Sequence, residues 1–237
     1  MQWLGLELAW WFNVGVQIFL CISGFLYGQK NLGETTAFYY RRFKKILIPY
    51  YMVFIPYGLL QLVFAKNVFK PKSFIKGLIV NDLLTGAGHL WFVATILLCY
   101  VLTPLLAAYR DRFVTNRRSL LLFAFFSLTI STLFFGLFNS FYNPAWICCY
   151  IMGYALGINE KYEFVGQKKL LLVYGIVAIV GNCIQIYCLY IENIRFKGWQ
   201  YFSNYNHVFL GVFLFILMRV IFEKKQFGSN ERTIIFH

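Results

Sequence analysis

The chain has 237 residues, of which 60% are hydrophobic, 21% aromatic and only 13% charged, with a formal net charge of +13 and a mean hydropathy of +0.63. Soluble domains carry about a quarter charged residues, so this composition excludes a water-soluble enzyme and places the chain in a bilayer. Nor does the basic excess read as nucleic-acid binding, because Lys and Arg sit in short stretches between apolar runs, as the positive-inside rule describes.

Seven apolar stretches lie at 8–28, 46–64, 90–109, 119–138, 144–158, 170–191 and 207–222. Measured against the roughly 17 to 25 residues that span a bilayer, they predict an all-α, polytopic transmembrane bundle of about seven segments. The fifth and seventh are short and are expected to tilt differently or to enter partway. FIKGLIVNDLLTGAG, over 74–88, reads as a short interfacial helix followed by a glycine-rich turn. No internal repeat or low-complexity linker divides the chain, so residues 1–237 are read as one membrane-embedded domain.

Within the first stretch, Asn13, Gln17, Cys21, Gly24 and Gly28 recur at helical spacing and form one small or polar stripe. In lipid such a stripe must face other helices or a water-filled cavity. Gly24 and Gly28 have GxxxG spacing, as do Gly153 and Gly157, which favours close helix packing over a cavity lining.

Next comes Tyr39-Tyr40-Arg41-Arg42-Phe43-Lys44-Lys45, read as a basic loop just ahead of the second apolar helix. Two readings compete. Any juxtamembrane stretch attracts such residues and binds anionic lipid. Alternatively the cluster holds a phosphate, because Arg offers a bidentate fork and a helix N-terminus favours negative charge.

At 86–92, Gly86-Ala87-Gly88-His89-Leu90-Trp91-Phe92 delivers a histidine to the lip of the third apolar stretch. His89 is either an interfacial residue or a group that holds or deprotonates a substrate hydroxyl. The six cysteines, at 21, 99, 148, 149, 183 and 188, all fall in apolar segments with no CxxC pair, and are expected as small buried hydrophobes with no metal site.

With the loop after the first stretch in the cytoplasm, sixteen Lys and Arg lie inside and six outside. The cell membrane is thus the expected location, with the main basic loops cytoplasmic and the N-terminus extracytoplasmic. Residues 1–8 contain Glu7 and no basic residue, unlike a signal peptide. An external start and the renewed apolar run at 233–236 lead to the expectation that a helix is missing at each end. All nine acidic residues lie at segment ends or in loops, leaving no mid-membrane carboxylate for ion coupling. There is no GxSxG, HExxH, GxGxxG or P-loop pattern.

Ser23-Gly24-Phe25-Leu26, then YYRRFKKILIPYY, then His89-Leu90-Trp91-Phe92 followed by Tyr100 and Pro104, resemble in order and spacing the integral-membrane acyltransferase 3 family. The resemblance implies an O-acyltransferase, expected to be an O-acetyltransferase, moving an acyl group from acyl-CoA to a hydroxyl of an envelope, capsular or exopolysaccharide glycan, free or lipid-linked. Acetyl-CoA would be the donor substrate, with no separate cofactor. By residue, Ser23, Gly24 and Phe25 match the family's SGF motif, Arg42 and Lys45 its paired basic motif, and His89 and Trp91 its HLWF motif.

The candidate acyl-CoA site is therefore Arg41, Arg42 and Lys45. The candidate substrate site is His89, Trp91, Ser23, Asn13 and Gln17. The resemblance places the family's general-base histidine on a helix ahead of residue 1, so no catalytic base is assigned within the chain. A noncatalytic remnant, an assembly partner and a glycan or lipid-linked carrier are the alternative functions.

Overall fold

The computed structural model describes residues 14–80, 84, 90–137, 144–188 and 198–228. Among them are eight helices and no strand: α1 (Gly15–Gln29), α2 (Thr35–Phe64), α3 (Pro71–Leu78), α4 (Trp91–Phe113), α5 (Arg117–Leu137), α6 (Pro144–Tyr162), α7 (Gln167–Ile186) and α8 (Trp199–Gly228). Four stretches are long and apolar enough to cross a bilayer: Thr35–Phe64, Trp91–Phe113, Gln167–Ile186 and Tyr201–Phe222. The described residues are thus all-helical, as expected of a multi-pass membrane protein. Seven spans were expected and four are identified among the described residues.

The α2 boundary departs most from expectation. The helix starts at Thr35 rather than near residue 46, so Arg41, Arg42, Lys44 and Lys45 lie within it and not in a loop ahead of it. No Gly or Pro interrupts residues 35–48, and Arg and Lys are good helix formers. The helix therefore continues out of its apolar portion as one rod. An anion site built on the α2 N-terminus is corrected accordingly, since the basic side chains stand beyond the first turn, where the free N–H groups lie. Gly33, at φ +67°, supplies the turn between α1 and α2.

The core centres on α6, which packs against α1, α4, α5 and α8. Cys148, Cys149, Tyr150, Tyr154 and Ile158 are fully buried. Its tightest seam is with α1. A Cβ on Gly24 would come within 2.9 Å of the Tyr150 carbonyl carbon, and closer to its oxygen; one on Gly153 would meet Cys21 Cα at 2.8 Å. Gly28 and Gly157 likewise face each other, each with the other's Cα 3.0 Å from where a Cβ would be. The two GxxxG segments are thus a single interface, and the α1 stripe, as far as it is described, packs against helices.

The other contacts are made by side chains. Arg110, only 2% exposed, donates from Nη1 to the carbonyls of Gly28 and Lys30 at 3.2 and 3.0 Å and from Nε to Asp111 at 2.7 Å. A cation thereby satisfies carbonyls that the end of α1 leaves open. Between α7 and α8, buried Gln185 accepts from Asn206 at 2.5 Å, and its own amide donates to Ser203 at 3.4 Å.

On the side of α6 where Tyr162 ends the helix, Arg219 pairs with Glu160 through two hydrogen bonds of 3.1 and 2.8 Å and lies 4.4 Å from the Phe25 ring centre. Hydrogen bonding from Arg219 holds the Glu160 carboxyl below its ordinary value, against the opposing effect of burial. Of the six cysteines, Cys21, Cys99, Cys148 and Cys149 are buried as expected; Cys183 is exposed, in contrast to the expectation, and Cys188 is half-buried.

The short helix α3 lies against α2. Tyr50 and Tyr51 donate their hydroxyls to the carbonyls of Gly77 and Leu78, both at 2.7 Å, and Phe54 stacks on Phe74. The expected interfacial helix at 74–88 thus starts earlier and ends at Leu78, while 81–83 and 85–89 lie outside the described residues.

Candidate active site

Three helices, α1, α2 and α4, converge beside the basic segment. Tyr27 near the end of α1 meets Tyr100 of α4 and Phe38 of α2 edge to face, with ring centres 5.6 and 5.4 Å apart. The Arg42 guanidinium lies 5.1 Å from the Tyr27 ring centre, a cation–π position that restrains the side chain while leaving its N–H donors available. The Ser23 side chain lies beside that of Tyr100, next to the Tyr27 ring. Tyr39 ties α2 to α4 by donating its hydroxyl to the Val101 carbonyl at 3.0 Å.

A cavity of about 340 Å³ lies along this seam. Its α2 wall is Lys45, Ile46, Pro49, Tyr50 and Val53; α4 adds Phe92, Val93, Ile96 and Tyr100, with Leu90 just ahead of that helix, and α1 adds Phe19. The prolines give a reason for its existence. Pro49 and Pro104 offer no N–H to the carbonyls four residues back, those of Lys45 and Tyr100, and a proline ring also crowds that carbonyl. Two helices so interrupted do not close along a straight seam. Lys45 is the cavity's cation, and Tyr100 connects its wall to Ser23 and Tyr27.

A second group forms farther along α4. Trp91 packs on Trp146 of α6 with ring centres 3.8 Å apart. With the Gln17 amide oriented to suit its neighbours, its oxygen accepts from Trp146 Nε1 and its nitrogen donates to the Val14 carbonyl, both at 3.3 Å. At 1.5 Å rise per residue, Trp91 and Tyr100 are about 14 Å apart along the helix.

The sequence candidates are therefore divided. Ser23, Arg42 and Tyr100 form one group, and Lys45 shares the cavity with Tyr100. Gln17 and Trp91 form another group through Trp146, and neither lines the cavity. Arg41 is exposed on α2, with its Nε donating to the Ala37 carbonyl at 3.1 Å. Asn13 and His89 lie outside the described residues.

Sequence reasoning passed over Tyr27, Trp146 and Arg110. The two aromatics are lost among 17 Tyr and six Trp. Arg110, however, stands at the end of an apolar stretch, and such a residue is a reason to look for a buried partner.

Nothing in this arrangement is a preformed nucleophile. It offers cations for an anion, hydroxyls for hydrogen bonding and an apolar space between them. A family model described as an acyltransferase domain, that of the acyltransferase 3 family, matches residues 2–236. No curated protein and no solved structure matches the chain.

Proposed function

The chain belongs to the acyltransferase 3 family of membrane acyltransferases, and from that premise we propose that it acetylates a hydroxyl of an envelope, capsular or exopolysaccharide glycan with acetyl-CoA as donor. The hydroxyl oxygen attacks the thioester carbonyl, its proton passes to a base, the carbon–sulfur bond breaks and CoA leaves as the thiol. Arg41 and Arg42 take the donor's phosphates, with Lys45 at the border of the cluster. Ser23, Gln17 and Trp91 are assigned to the acceptor, together with His89 and Asn13, which rest on the sequence alone. The excess of basic residues on one side supports a cytoplasmic donor side, from which acetyl-CoA reaches the cluster.

The observation that carries this reading is the convergence of Arg42, Tyr27, Tyr100 and Ser23 at the cavity bearing Lys45. It places cations, a hydrogen-bonding hydroxyl and room for a substrate within one helix junction. The test is transfer of labelled acetyl from acetyl-CoA to glycan in membranes containing the chain, with CoA binding measured in detergent at matched ionic strength. The double variant Arg41→Ala/Arg42→Ala is expected to weaken CoA binding at least tenfold while the protein stays in the membrane. Unchanged binding removes the donor assignment. Absence of transfer with binding intact favours the noncatalytic or carrier functions.

A further inference from the structure

The 340 Å³ cavity is within the size range of small-molecule sites, but its chemistry does not suit a CoA arm. Pantetheine carries two amides and a hydroxyl, and each polar group buried without a partner costs roughly 1–3 kcal/mol. The lining is aliphatic and aromatic apart from Lys45 and the two tyrosines. One of these, Tyr50, already donates its hydroxyl to the Gly77 carbonyl. The wall offers a hydrocarbon chain what it needs and offers an amide almost nothing.

The opening has a direction. Phe19 and Val53 line the cavity and are themselves 49% and 52% exposed, on helices whose outward faces carry Leu26, Met52, Leu59 and Leu60, all exposed. In a bilayer those faces meet lipid tails. The mouth therefore opens sideways into hydrocarbon, with a cation at one end. From Lys45 to Val53, the α2 wall runs about 12 Å at 1.5 Å per residue.

We propose that this cavity takes one hydrocarbon chain of a phosphate-bearing membrane lipid, which enters from the bilayer and sets its phosphate on the Lys45 ammonium. Charge position separates this occupant from the donor. In a lipid the phosphate lies close to the chain, matching a cation on the cavity's own wall. In acyl-CoA the whole pantetheine arm stands between acyl chain and phosphates. Arg41 and Arg42, outside the cavity lining, remain for the donor. The inference rests on the acyltransferase reading and sharpens it: the acceptor is lipid-linked and is held by its anchor beside the donor.

The experiment is photo-crosslinking of the full chain in detergent micelles by phosphatidic acid carrying a diazirine near its chain end, with diazirine diacylglycerol of the same chains as the uncharged control. Label is expected in α2 and α4 peptides containing Val53 and Ile96, at least fivefold above the control. Lys45→Gln should reduce it to near control and Lys45→Arg should restore it; Val53→Trp, which fills the cavity, should abolish it. Label that is equal for both probes, or insensitive to Lys45→Gln and Val53→Trp alike, marks ordinary boundary lipid and overturns the proposal. So does displacement of the label by acetyl-CoA, which would put the donor in the cavity. The two readings fail separately: label present without acetyl transfer sinks the transferase reading alone, and transfer without label sinks the lipid site alone.

Discussion

Replacing Gly24 by Ala tests the α1–α6 seam and the site together. An added Cβ would meet the Tyr150 carbonyl carbon and the Tyr154 nitrogen at 2.9 Å, with the Tyr150 oxygen closer, where ordinary contact begins at 3.4 Å. All three atoms are backbone within a helix and cannot rotate aside, so the two helices must separate by at least half an ångström along the seam. A gap of 0.5–1 Å forfeits a quarter to a half of each dispersion contact, and overpacking costs about 1–3 kcal/mol. We therefore expect a loss of about 3 kcal/mol, or a fall of roughly 6–12 °C in melting temperature for a chain of this size.

The control is Gly15→Ala, which meets nothing within 4 Å at the start of the same helix and should be neutral or slightly stabilising. The assay is thermal unfolding in detergent, followed by size-exclusion fluorescence. Equal melting temperatures for Gly24→Ala and Gly15→Ala would refute the argument. The neighbouring Ser23 should shift with the backbone, so acetyl transfer is expected to fall in Gly24→Ala even at temperatures where the protein remains folded.

Two further predictions follow from charged contacts. Arg110→Met leaves the carbonyls of Gly28 and Lys30 without their cation; at roughly 1.5–3 kcal/mol for each of the two charge-assisted hydrogen bonds, the loss is expected to be about 3–6 kcal/mol, with partial recovery in Arg110→Lys, measured by the same unfolding assay. Glu160, held below its ordinary value of 4.5 by Arg219, contributes stability that is present above that value and lost as pH falls through the lower folded-state value. Melting temperature below pH 4.5 should therefore fall more steeply for the wild type than for Glu160→Gln, and parallel curves would contradict the coupling.

What was legible in the sequence was whatever depends on local spacing. The Gly24/Gly28 and Gly153/Gly157 pairs announced a close helix contact, and the structure joins them to each other. Hydropathy located each of the helices among the described residues. The α2 start was missed because hydropathy marks where a helix enters lipid, whereas the helix itself continues through Arg41–Lys45 into the polar zone. The partition of the site was equally hidden. Ser23 and Gln17 lie on one helix, yet they reach Tyr100 and Trp146 respectively, and only the placement of α4 and α6 decides that.

The same placement explains why the cavity is where it is. α1 and α6 meet through glycines, so their backbones touch and no space is left between them. α4 joins that pair through large groups, with Thr103 bonded to Tyr150 at 2.6 Å and Trp91 on Trp146. α2 is attached to α1 and α4 by aromatic edges and the Tyr39 hydrogen bond, and its Gly58 packs on Phe74 of α3 rather than on either of them. Contacts between long side chains leave gaps that glycine contacts do not. A substrate space is thus expected on the α2 side of the bundle, bounded by one rigid wall and one lightly held wall. Substitutions that tighten α2 onto α4, such as Val53→Phe, should then reduce substrate entry without the destabilisation expected for Gly24→Ala.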